Sequence, residues 1–126
     1  MGKPVVTWSH KPAGKDFDAA HSYLTLVYPN AQARRLVQAL RRARPVSFAA
    51  KDLLRASRLP LLPRDEVHVA ADLKRIHKGK SLSPVLLVQG DSSRAIALIV
   101  ADGYHRICAI CYFDEDAPIV CRLVAQ

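Results

Sequence analysis

AIALIVADGYHRICAI, residues 95–110, decides how this chain is read. Its first six residues are apolar and include Ile96, Ile99 and Val100, the composition of a buried strand. Asp102-Gly103 then forms a small acidic turn. From Tyr104 onward the apolar side chains recur at helical spacing. The stretch is therefore a strand that hands over to a helix at one glycine. A helix that starts just after Gly103 leaves backbone N–H groups unpaired and carries a partial positive charge at that end. Gly103 allows a tight turn and a close approach of the backbone to a ligand. His105 and Arg106 add donors at the same end, and the planar guanidinium fork suits phosphate oxygens. These residues point to an anion site, for phosphate above all. Asp102 has two readings: it caps the helix, or it holds a metal or a ligand hydroxyl. A cap is the commoner use of such a residue.

Working outward, PIVCRLV at 118–124 reads as a strand after the helix of about 104–113. PVLLV at 84–88 reads as a strand before it, joined to AIALIV (95–100) by the turn-forming QGDSSR. The second half is thus β-β-α-β. The first half is helical apart from VVTW, 5–8, a short strand. DFDAAHSYLTLVY, 16–28, predicts a helix capped by an Asp and ended by Pro29. Asn30 is placed to cap the next helix, AQARRLVQALRRA. In it Ala33, Leu36, Val37 and Leu40 share one face, and Arg34, Arg35, Arg41 and Arg42 fall on the other. Ser47 is placed to cap a helix through FAAKDLLRASRL. Pro60 and Pro63 keep PLLPR irregular. Asp65 is placed to cap a fourth helix, 66–78, with Val69, Leu73 and Ile76 inward, and Gly79 stops it. The expected fold class is α+β, a helical N-terminal half packed on a small mixed sheet. Residues 1–126 fit one domain.

Half the residues are hydrophobic, enough for a core without staples. No apolar run approaches the roughly 18 residues of a membrane span. The start of the sequence has no signal-peptide core, and the three cysteines are an odd number, so a cytoplasmic protein with reduced thiols is expected. The net charge of +8 is lopsided: residues 1–60 hold eleven Lys/Arg against three Asp/Glu, and residues 61–126 hold eight of each. Such a basic half fits a polyanionic partner, or simply a solvated helix face.

SLSPVLLV, the turn, ALIVADGYHRICAICYF and APIVCRLV together resemble the superfamily of the ParB N-terminal domain and sulfiredoxin. The likeness covers about residues 66–124 and centres on Gly103-Tyr104-His105-Arg106, preceded by Asp102. Residues of about 9–60 stand outside it, as a basic helical insert. The resemblance implies nucleotide binding, with a nucleoside triphosphate such as ATP or CTP, carried with Mg²⁺, held at the start of the motif helix. His105 and Arg106 would be the phosphate contacts, with Asp102, Gly103 and Tyr104 around them. Sulfiredoxin has its reactive cysteine where this chain has Tyr104, and a phenol cannot replace a thiolate, so sulfinic-acid reduction is not expected. ParB-type CTPases have a glutamate there, also missing. A small-molecule kinase of this type would need a carboxylate base, which the sequence does not assign.

Other groups compete for a role. Lys74, Lys78 and Lys80, with Ser81 and Ser83, lie just before PVLLV, where Lys80 and Ser81 can reach a phosphate at Gly103, or the lysines are an exposed helix end. Cys108 and Cys111 form a CxxC, but both fall on the inward face and read as small core residues. Asp114-Glu115-Asp116 is a set of three acids of the kind that holds Mg²⁺, but it reads rather as a solvated turn or a partner of the basic stripe, and no metal site is expected. His68 and Asp72, four apart, read as a surface pair. The first functional reading is a nucleotide- or phosphate-binding domain, enzymatic or not. The alternative is a nucleic-acid-binding module built on Arg34, Arg35, Arg41 and Arg42, in which helices at 31–43 and 47–58 imitate a helix-turn-helix.

Overall fold

Every residue of Val85–Val88 is fully buried, and that one strand sets the layering. The computed structural model describes residues 5–126. Its elements are α1 (Gly14–Leu24), α2 (Asn30–Arg42), β1 (Val46–Ala49), α3 (Ala50–Ser57), α4 (Val67–His77), β2 (Val85–Val88), β3 (Ile99–Asp102), α5 (Tyr104–Asp114) and β4 (Pro118–Val124). The sheet order is β1-β4-β2-β3. β2 runs parallel to β4, and the other two pairings are antiparallel. The α+β expectation with a mixed sheet holds.

The period of two along β2 splits the core. Val85 and Leu87 pack into a cluster with Leu53 of α3, Leu73 and Ile76 of α4 and Ile107 and Ile110 of α5. Leu86 and Val88 face the other way, into Phe17 and Leu24 of α1 and Leu36 and Leu40 of α2. Helices therefore cover both faces, which is why this strand is apolar throughout rather than alternating.

Several local expectations change. VVTW forms no strand; Trp8 makes a single bridge to Leu82. The stretch read as a helix from Ser47 begins as β1, whose Val46 to Ala49 pair with Cys121 to Pro118 of β4. Pairing along the otherwise open edge of β4 outweighs the Ser47 cap signal. A strand between α2 and α3 removes the helix-turn-helix reading. It also builds residues 46–57 into the common sheet and core, although they fall within the stretch read as an insert. AIALIV joins the sheet only from Ile99, because Ala95 turns left-handed (φ 57°) after a 3₁₀ turn at Ser92–Arg94. In α1 the acid is not the N-cap but sits in the first turn, where Asp16 Oδ2 accepts the Ala13 N–H at 3.0 Å. Asn30 begins α2 without capping it. Glu66, not Asp65, caps α4, accepting the N–H groups of His68 (2.9 Å) and Val69 (3.1 Å).

Candidate functional site

The N-terminus of α5 opens into a polar cleft of about 310 Å³ between α1, α4 and the segment entering β2. Gly103 makes the corner. Its φ of 113° suits glycine, and a Cβ there would stand 2.7 Å from Val85 Cγ2 and 2.9 Å from Arg106 Nη2. Asp102, Gly103, His105 and Arg106 all line the cleft, as the strand-to-helix reading requires. Ser81 and Ser83 reach it from the segment before β2.

The arginine is less free than its sequence position implies. Arg106 Nη2 donates to Asp102 Oδ2 at 2.9 Å, and both side chains are mostly buried. Asp102 therefore anchors the guanidinium instead of capping the helix; Gly103 is the N-cap and no side chain serves there. Burial pushes the Asp102 carboxyl above its ordinary value, and the adjoining Asp16 carboxyl adds to this against the pull of Arg106. Arg106 Nε is buried and has no hydrogen-bond acceptor among the described residues.

Two residues assigned to the ligand lie elsewhere. Tyr104 turns away from the cleft and donates its hydroxyl to the Pro60 carbonyl. That contact with the segment before α4 holds the Tyr104 ring on the side of α5 away from the cleft. Lys80 is exposed and does not line the cleft; nor do Lys74 and Lys78.

In their place α4 supplies groups that the sequence reading left on the surface. His68 and Asp72 line the cleft together with Arg75. The rings of His68 and His105 are 4.7 Å apart. His105 Nε2 stands 3.6 Å from Glu66 Oε1. Desolvation raises the Glu66 carboxyl, but the His68 and Val69 amides and the nearby His105 outweigh it and hold it below the ordinary 4.5. Burial pushes Asp72 above its ordinary value despite Arg106, Arg75 and both histidines. From α1 come Lys15 and Asp16. The (i, i+4) spacing of His68 and Asp72 was visible; that their face meets the start of α5 was not.

The remaining candidates resolve simply. Cys108 is buried and Cys111 half-buried, with their thiols raised by burial, that of Cys111 to about 11. That is the opposite of a reactive thiol. Asp116 pairs with Lys51 at 2.6 Å. Among the described residues no group of three His, Cys, Asp or Glu side chains is placed to hold a metal ion. Arg34, Arg35, Arg41 and Arg42 are exposed, but the stripe is divided. Arg34 and Arg41 line a groove against α1, where Arg41 stacks 4.5 Å over the Phe17 ring. A larger concavity beside Trp8 and Phe113 is mainly apolar and brings no set of donors together. No described helix is long and apolar enough to cross a membrane. No protein-family model, characterised protein or solved structure matches this chain.

Proposed function

We propose that this protein binds a phosphate-bearing small molecule of nucleotide type in the cleft at Gly103, as a domain of ParB/sulfiredoxin type. The observation that carries the reading is convergence. Lys15, Arg75 and Arg106 come from three helices to one cleft, beside the free amides that open α5. Ser81 and Ser83 add hydroxyl donors, and the unpartnered Arg106 Nε is a buried donor awaiting an acceptor.

Charge sets the terms of binding. Lys15, Arg75 and Arg106 face Asp16, Asp72 and Asp102, so with neutral histidines the cleft has no net charge. A nucleoside triphosphate such as ATP or CTP would bring about four negative charges and would need its Mg²⁺. The adjoining carboxyls of Asp16 and Asp102 are the groups that would meet that ion. A single phosphate ester needs no such help.

Thermal denaturation with inorganic phosphate, AMP, and ATP or CTP with Mg²⁺ tests the reading. A ligand at 100 times its Kd stabilises the fold by about 2.7 kcal/mol, on the order of 10 °C for a chain of this size. Arg75→Ala, at an exposed position, should remove most of that shift without harming the fold. No shift with any of these ligands would refute the proposal. The Arg-rich face of α2 keeps the nucleic-acid alternative open to one measurement. Replacing Arg34, Arg35, Arg41 and Arg42 by Gln should flatten the salt dependence of DNA binding; an unchanged slope assigns the stripe to solvation.

A further inference from the structure

The cleft holds more than phosphate-binding cations. Two histidines stand ring to ring in it, their centroids 4.7 Å apart, and His105 has a carboxylate beside it. Glu66 Oε1 lies 3.6 Å from His105 Nε2. Its carboxylate is fixed because it also caps α4 through the His68 and Val69 amides, at 2.9 and 3.1 Å. Asp72 lies one helical turn beyond His68 and lines the same cleft. Phosphate binding alone requires neither the histidines nor these carboxylates. A proton-transfer apparatus beside a phosphate site does.

We infer that the cleft hydrolyses a small phosphodiester, with His105 as general base and His68 as general acid. The inference rests on the phosphate-site reading above. A phosphodiester carries one negative charge, which suits a cleft whose fixed charges cancel better than a triphosphate does. At about 310 Å³ the cleft has room for an ester of mononucleotide size. Arg106, Arg75 and the opening amides of α5 hold the two non-bridging oxygens. Neutral His105, steadied by Glu66, takes a proton from water as the water oxygen bonds to phosphorus. The bond from phosphorus to the leaving oxygen breaks, and protonated His68 gives that oxygen its proton. One diester and one water become one phosphomonoester and one alcohol. The two rings then regain their starting protonation by exchange with solvent. His105 and His68 are the catalytic residues, and Glu66 is a positioning residue.

The test is hydrolysis of bis(4-nitrophenyl) phosphate by the whole protein in EDTA, followed by nitrophenolate release. The rate should follow a bell-shaped pH profile, because one histidine must be neutral and the other charged. The groups around these rings are Glu66, Asp72 and Arg106, with Tyr104 beside His105. Arg75, Lys15, Asp16 and Asp102 share the cleft. His105→Gln and His68→Gln should each lose roughly 100- to 10,000-fold in kcat, and each should lose one limb of the bell. Glu66→Gln should lower kcat with KM unchanged and keep both limbs. Stabilisation by inorganic phosphate, measured on the same samples, reports the site independently of turnover. Phosphate stabilisation without diester hydrolysis would overturn this inference and leave the binding site standing. Absence of both would overturn both. Hydrolysis that appears only with an added divalent ion, or that survives both histidine substitutions, would also overturn it.

Discussion

At Gly103 one backbone angle determines whether strand and helix meet around a cleft. A φ of 113° is strained for any side chain, and the space a Cβ would occupy is already taken by Val85 and Arg106. Gly103→Ala should cost about 1–3 kcal/mol in denaturant unfolding, and the variant should lose phosphate binding with it. The carboxylates make a second prediction. Asp72 and Asp102 are both raised above the ordinary 3.8 in the folded state. Between that value and the raised one the native state binds more protons than the unfolded chain, so these groups take stability away as pH rises through the window. Asp72→Asn removes one such group. Its stability relative to wild type should therefore grow as pH climbs from just below 3.8 through the weakly acidic range, measured by thermal unfolding at stepped pH. A flat difference would mean that Asp72 titrates alike in both states. At this scale the sequence disclosed Asp102, Gly103, His105, Arg106 and Ser81 through the motif and its neighbourhood. It misplaced Tyr104 because the partner of its hydroxyl, the Pro60 carbonyl, lies 44 residues away and leaves no local signal.

Among the elements, the segment from Leu59 to Asp65 is the least regular and has the clearest fastening. Tyr104 and Tyr112, on α5, donate their hydroxyls to the carbonyls of Pro60 and Leu62. The segment then runs into Glu66, the cap of α4 and the partner of His105. Tyr112→Phe should lower stability by about 1 kcal/mol, the ordinary worth of one such bond. Tyr104→Phe and Tyr112→Phe combined should also loosen Glu66, read as faster amide exchange at His68 and Val69. The helix α2 behaves as its pattern requires, with Ala33, Leu36, Val37 and Leu40 buried and the arginines outside. Its C-terminal carbonyls at Leu40 and Arg41 are satisfied by Arg122 of β4, at 3.2 and 2.8 Å. Such a bond spans most of the sequence and leaves no local signal. β1 was missed for a related reason. Four residues with Val46 and Phe48 about two-fifths exposed have little pattern of their own, and β4 supplies the partner that makes them a strand.

For the molecule as a whole, β2 is the common wall of two cores, so damage there should spread. Leu86→Ala, at a fully buried position, should cost about 2–5 kcal/mol and lower the unfolding midpoint of every probe together. A loss confined to the α1–α2 side would show that the two layers unfold separately. The thiols report the same cooperativity. Cys121 is fully buried and its thiol is pushed up to about 11, so its alkylation should proceed only through opening of the fold. The sequence by itself determined the helices, the apolar strands of the second half and the strand-to-helix corner at Gly103. Those follow from side-chain periodicity and backbone preference, which act over a few residues. The tertiary structure alone decided that α4 lies across the start of α5 and brings His68, Asp72 and Arg75 to that corner. It alone turned residues 46–49 into a sheet edge and tied Tyr104 to Pro60. Contacts between distant segments depend on which apolar faces bury one another, and a one-dimensional pattern does not record that choice.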